Sequence, residues 1–249
     1  MSLAAIVVSL HGRTGKTLLA RVLAEYFILS GRRPLLFDTD AAECSLCACY
    51  PHEAIVVDLS RVPDQMTLFD TLAVASPEAR VVDVSHQSFR KFFRVMLEID
   101  FVAETRATRV EPILFYIADR NADSYEEALR LQHLFPDTRL VAVENALLGP
   151  PGEWVRRSRP YEIFAAHALH MTMPVLDPTA EAVLDDPAFS LSDFMRRPAT
   201  IGEAMPAPEE GPARDPRGAL RAWLMRMFRD IHRIGRAVAG PTEAVAARA

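Results

Sequence analysis

The apolar run Ala4-Ala5-Ile6-Val7-Val8 leads into Leu10-His11-Gly12-Arg13-Thr14-Gly15-Lys16-Thr17, and a helical pattern follows through Leu29. A strand, a glycine-containing loop and a helix in that order make a phosphate cradle, with backbone N–H groups and the helix N-terminus facing the anion. In such a loop Lys16 reaches the β- and γ-phosphates and the Thr17 hydroxyl ligates Mg²⁺. Gly12 and Gly15 let the backbone come close to the ligand. Leu10 stands where the regular pattern has its first glycine, so the loop is a variant. Lys16 and Lys91 are the two lysines in a chain whose other bases are all arginine. A compact ammonium suits the centre of a phosphate cradle better than a planar guanidinium. The alternative for Lys16 is a solvated residue on a strand–helix turn.

Length and charge set the frame. A chain of 249 residues, half of them hydrophobic, can build one large α/β domain with a tail. A net charge of −5 excludes a globally basic nucleic-acid binder. Three cysteines and an apolar N-terminal run that reads as a first strand point to a reducing, cytoplasmic setting. No stretch is apolar for long enough to span a membrane.

Short apolar runs alternate with helical patterns, which predicts parallel βαβ units in a doubly wound sheet with helices on both faces. The predicted strands are Ala4–Leu10, Pro34–Phe37, Ala54–Asp58, Arg80–Val84, Ile113–Ile117, Arg139–Val143 and Pro174–Leu176. They lack period-2 alternation, as strands covered on both faces do. The predicted helices are Thr17–Leu29, Met66–Ala75, His86–Leu97, Ser124–Leu134 and Tyr161–His170, with a short one between Asp185 and Arg197. The polar, Pro-rich stretch Pro206–Pro216 reads as a linker. The division is a nucleotide-binding domain over 1–183, a short helix and linker over 184–216, and a basic amphipathic helix with its tail over 217–249.

The second strand runs into Phe37-Asp38-Thr39-Asp40, and another apolar run ends in Val81-Val82-Asp83. Ligands of a doubly wound sheet sit at the carboxyl ends of its strands, so these acids belong beside Lys16. Carboxylates there hold the water shell that Mg²⁺ keeps. Asp58 ends a similar run and competes with Asp83; Asp83 is preferred because a helix follows at once. Each acid taken singly is also an ordinary strand-end or N-cap residue.

With these residues in place, the chain resembles the ParA/MinD family of deviant Walker A ATPases, a branch of the P-loop proteins. The family's Lys-Gly-Gly-x-Gly-Lys-Thr stands here as His11-Gly12-Arg13-Thr14-Gly15-Lys16-Thr17. Asp38-x-Asp40 is similar to its switch segment and Val81-Val82-Asp83 to its Walker B strand. Asn145, after Leu140-Val141-Ala142-Val143, resembles the asparagine that contacts adenine, and Arg159 to Val175 is similar to the closing helix and strand. The resemblance spans about residues 1–180.

It implies a nucleotide switch. ATP with Mg²⁺ joins two subunits face to face; the homodimer binds the inner membrane or nucleoid DNA, and hydrolysis releases it, positioning or partitioning a cargo with an activator protein. By position, residues 11–17 hold the phosphates, with Lys16, Asp40 and Arg13 in catalytic roles: Asp40 orients the attacking water. Thr17 binds Mg²⁺, and Asp38 and Asp83 hold it through water. Three departures stand out. The signature lysine that reaches the partner's phosphate is His11, a poorer cation at neutral pH. The second glycine is Arg13, which either supplies that charge in trans, like an arginine finger, or points to solvent. Val84-Ser85-His86 replaces the prolines that follow the Walker B acid.

Leu220, Trp223, Leu224, Met227, Phe228, Ile231 and Ile234 recur at helical spacing, with Arg226, Arg229, Arg233 and Arg236 opposite. Such a helix over 217–238 suits an anionic membrane surface, as the C-terminal helix of MinD-type members does; the alternative is a terminal helix packed on its own domain. Cys44, Cys47 and Cys49, with His52 nearby, could suggest a metal site, but the cysteines fit free, small apolar residues better. Arg156, Arg157 and Arg159 read as a solvated turn.

Three functional readings remain. The chain is a positioning ATPase, a nucleotide-binding regulator or scaffold with little hydrolysis, or a P-loop kinase or ligase acting on a small molecule.

Overall fold

The computed structural model describes residues 2–184, 189–197 and 215–246. Seven strands make one sheet: β1 (Ser2–Val8), β2 (Pro34–Asp38), β3 (Ala54–Val56), β4 (Ala79–Asp83), β5 (Val110–Ala118), β6 (Arg139–Asn145) and β7 (His170–Met173). Their order is β3-β2-β4-β1-β5-β6-β7 and every pairing is parallel. The chain is therefore α/β and doubly wound, as its alternating pattern predicts.

Side chains of each strand alternate between two cores. Ala5 and Val7 face α1 (Lys16–Leu29), while Ala4, Ile6 and Val8 face the opposite layer. Both sets are apolar and fully buried, which is why no alternation shows in the sequence. The second layer contains α3 (Val62–Ala73), α4 (Phe89–Glu98), α5 (Phe101–Thr108), α6 (Ala122–Leu134) and α8 (Arg159–Ala165), and it is rich in aromatic rings. Phe69 packs on Phe92 and on Phe101 with ring centroids 5.3 and 5.5 Å apart.

Several boundaries differ from expectation. α3 starts four residues before Met66, because Pro63 fits the first helical turn, where its missing N–H has no partner to lose. The seventh strand is His170–Met173, not Pro174–Leu176, and the helix before it ends at Ala165. Ala142 pairs with His170 in register, and Pro174 lacks the N–H needed to extend the ladder. Two short helices escape the periodicity, α2 (Ser45–Cys49) and α5, as does α7 (Glu153–Arg156). Within the expected 185–197 helix the structure has α10 (Leu191–Arg196), preceded by α9 (Pro178–Leu184); residues 185–188 and 198–214 lie outside the described residues, and the latter include most of the expected linker Pro206–Pro216.

The largest correction concerns the C-terminal helix, α11 (Pro216–Ala246). It is no tethered appendage. Leu220, Trp223, Leu224, Met227, Ile231 and Ile234 are buried in the same core as α1, α9 and α10, and Phe228 packs against that core. Trp223 Nε1 donates to the Pro174 carbonyl at 2.7 Å, and Tyr26 Oη lies 3.0 Å from His232 Nδ1. Burying such a side chain is worth roughly 1.5–3 kcal/mol, so six of them hold the helix down firmly. The exposed side carries Arg226, Arg229, Arg233 and Arg236. Among the described residues, no helix is long and apolar enough to cross a membrane.

Candidate functional site

The loop from Ser9 to Gly15 joins the middle strand of the sheet to α1. Gly15 has φ 92° and caps the helix, whose first bond is Leu19 N–H to the Gly15 carbonyl at 3.0 Å. The N–H groups just before it have no partner within the helix. A Cβ on Gly15 would sit 2.9 Å from Asn145 Nδ2 and 3.3 Å from Met173 Cε; one on Gly12 would meet the His86 ring at 3.3 Å. The loop is thus held between β4 on one side and β6 and β7 on the other. Arg13 has φ 58° and is exposed. A left-handed arginine costs about 1 kcal/mol, the cost a glycine there avoids.

Charge converges beneath this loop. Lys16 is 8% exposed, and its Nζ donates to the His11 carbonyl at 2.9 Å. Burial lowers its pKa, while Asp83 and Asp40 raise it. The Thr17 hydroxyl donates to Asp83 Oδ2 at 2.6 Å. Burial pushes the Asp83 carboxyl up to about 6; the Asp38 and Asp40 charges add to this, and Thr17 and Lys16 oppose it. Asp38 pairs with Asp83 in register on the adjacent strand. Its Oδ1 accepts from Asp40 N–H at 2.8 Å and its Oδ2 from Leu46 N–H at 2.9 Å, and burial raises its pKa. Asp40 Oδ1 accepts from the N–H groups of Ala42 and Glu43 at 3.2 and 3.1 Å. Asp58 lies past the edge strand β3 and caps Ser60, away from Thr17. The strand order therefore brings together Lys16, Thr17, Asp38, Asp40 and Asp83 and leaves Asp58 out.

Whether Mg²⁺ and a polyphosphate suit these residues can be judged from the loop itself. The hydroxyls of Ser9 and Thr14 are buried without a partner, although buried polar groups almost always have one. Among the described residues no three His, Cys, Asp or Glu side chains converge to hold a metal directly. Thr17 with three nearby carboxylates instead suits an ion that keeps its waters. The residues fit the group. Beside Thr17, a cavity of about 240 Å³ is lined by Asn145, Leu147, Met173, Pro174 and Trp223 among others. That is room for a flat ring, below the roughly 300–1,000 Å³ of whole-ligand pockets. A larger cavity of about 760 Å³ lies over Glu25, Tyr50 and Ser192, apart from the loop.

Several of these residues have partners within the chain that their positions along it do not announce. His11 is held within its own chain: Nδ1 lies 2.8 Å from Asp119 Oδ2 and Nε2 lies 3.4 Å from Asp123 Oδ2. The first approach is close but poorly aligned as a hydrogen bond. Asn145 Nδ2 donates to the Thr14 carbonyl at 3.0 Å and its Oδ1 accepts from Leu147 N–H at 3.0 Å, so the side chain braces the loop. Cys44 and Cys47 are joined in a disulfide, not free as expected, and Cys49 is a thiol. Asp119 and Asp123 escape the sequence reading. Asp119 follows the apolar β5 run just as Asp83 ends β4, and that shared pattern is the signal that could have found it.

Compared with known proteins, the chain matches no family model and no curated protein.

Proposed function

We propose that the chain is a nucleotide switch of the ParA/MinD type, binding ATP with Mg²⁺ at the loop 9–17. The Thr17–Asp83 bond beneath the buried Lys16 carries this reading. Mg²⁺ supplies charge neutralisation between the phosphates. Lys16 and the free N–H groups of α1 bind the phosphates, Thr17 and the waters held by Asp38 and Asp83 seat the ion, and Asp40 orients a water. Nucleotide binding joins two copies, with Arg13 as the cation that reaches across, since it is exposed beside the loop while His11 is tied to Asp119.

The surface the dimer binds is anionic, a membrane or nucleoid DNA. The support is the outer face of α11, where Arg226, Arg229, Arg233 and Arg236 rise along about 15 Å of helix. With the apolar face of α11 inside the core, the contact is electrostatic and weakens steeply with salt. Such a switch fits a peripheral cytoplasmic protein that positions a cargo with a partner protein.

The second reading is a nucleotide-binding scaffold with little hydrolysis. The pairing of His11 with Asp119 and Asp123 favours it, because that arrangement withdraws the position from which the family reaches the partner's phosphate. ATP turnover measured alone, with anionic vesicles and with DNA separates the readings. Turnover stimulated by either surface supports the switch, binding without turnover supports the scaffold, and failure to bind ATP with Mg²⁺ rejects both.

A further inference from the structure

The segment between β2 and β3 carries Cys44, Cys47 and Cys49, which the nucleotide reading leaves without a role. Cys44 and Cys47 are disulfide-linked across the start of α2, with Cα atoms 5.3 Å apart. A separation of three residues closes so short a loop that the link restricts the unfolded chain little. Two cysteines at this spacing suit reversible exchange instead. Both are half-buried, and their neighbours Ser45 and Ala48 are exposed, so a thiolate in solution can reach the bond.

The link lies in the segment that fixes the acids of the site. Cys44 N–H donates to the Asp40 carbonyl at 2.9 Å, and Cys47 N–H to the Cys44 carbonyl at 3.0 Å. Leu46, between the two cysteines, is fully buried, and its N–H is one of the two donors on the Asp38 carboxylate. α2 has five residues, too few to persist as an isolated helix. The disulfide therefore helps to hold the turn that presents Leu46 N–H to Asp38.

We propose that Cys44–Cys47 is a thiol–disulfide exchange site whose oxidised form orders residues 40–49 and thereby tightens Mg²⁺-dependent nucleotide binding. The effect on the nucleotide rests on the reading of the loop given above. In reduction, a thiolate of a small dithiol attacks one sulfur. The S–S bond breaks, the other cysteine leaves as a thiolate, and a mixed disulfide forms. The second thiol of the reductant then displaces the protein sulfur, so two electrons enter the protein and the reductant closes to its own disulfide. Oxidised glutathione drives the reverse direction and takes up those electrons.

The test uses the full chain equilibrated with dithiothreitol or with oxidised glutathione, then alkylated and mapped by mass spectrometry. After oxidation Cys49 alone is expected to carry the alkyl group, and after reduction all of Cys44, Cys47 and Cys49 carry it. A bond to Cys49, or none, overturns the exchange site. In nucleotide-free protein, reduction should speed amide exchange at Leu46 by about tenfold, and equal rates overturn the ordering. The oxidised form should bind Mg²⁺–ATP at least about fivefold more tightly, the difference vanishing in EDTA and in Cys44→Ser. Equal affinities with the pairing verified overturn the coupling. If neither form binds ATP, the loop reading and the coupling both fall, while the mapping and the amide rates still judge the exchange site and the ordering.

Discussion

The Thr17 hydroxyl donates to Asp83 Oδ2 at 2.6 Å, tying the first turn of α1 to the end of β4 across 66 residues of chain. Asp83 is 4% exposed, so this bond holds a carboxyl that burial has pushed up to about 6. An unfolded aspartate titrates near 4, so the folded nucleotide-free protein loses stability as pH rises from about 4 through 6, by about 3 kcal/mol in all. Asp83→Asn removes that slope. Thermal melts at pH 5 and pH 8 should show the variant stabilised mainly at pH 8, with Mg²⁺-dependent nucleotide binding lost. An unchanged difference between the two pH values would refute this account of Asp83.

Lys16 is the buried cation of the loop, with its Nζ on the His11 carbonyl. Lys16→Ala should weaken ATP by about 100-fold or more, the loss of charge-assisted bonds to phosphate. Calorimetric titration of ATP with Mg²⁺ checks it; affinity within a few-fold of the parent chain would remove the phosphate assignment.

Gly15 has φ 92° and faces Asn145 Nδ2. Gly15→Ala adds left-handed strain of about 1–2 kcal/mol and pushes Asn145 off the Thr14 carbonyl. The melting temperature should fall and ATP binding should fall with it. A variant that melts and binds like the parent would mean the loop does not need this conformation.

Arg13→Ala should leave ATP binding by the monomer intact and abolish nucleotide-dependent self-association, read by light scattering after size exclusion. Alanine keeps the Cβ, so the substitution leaves the left-handed strain at φ 58° in place and removes only the charge. If the variant still dimerises with ATP, Arg13 is not the cation that crosses the interface.

Because α11 is a core element, deleting residues 217–249 exposes α1 and tests folding before it tests surface binding. Charge reversal separates the two. Replacing Arg226, Arg229 and Arg236 with Glu should abolish sedimentation with anionic vesicles and retention on DNA while leaving the melt nearly unchanged. Trp223→Ala should instead lower stability by about 3–5 kcal/mol through the lost packing and the bond to Pro174. Undiminished binding by the charge-reversed chain to both surfaces would eliminate the arginine face as the contact.

Much of the candidate site could be read along the chain because its signals are local. An apolar run, a Gly-Lys-Thr turn and a helical repeat are contiguous, and acids at strand ends need only the rule that parallel strands finish on one side of the sheet. The strand order then separates Asp83 from Asp58, which local pattern cannot do. Asn145 braces Thr14 across 131 residues, and no spacing along the chain announces that contact.

The amino-acid sequence by itself determined the α/β class, the glycine-containing loop between β1 and α1, the acids beside it and a C-terminal helix with one apolar and one basic face. Tertiary structure alone decided what those faces and side chains meet. It placed the apolar face of α11 against α1 rather than leaving it for a membrane, joined His11 to Asp119 and Asp123, and paired Cys44 with Cys47. The physical reason is the same in each case. Periodicity and charge specify that a group must be buried or paired, and chain topology selects its partner.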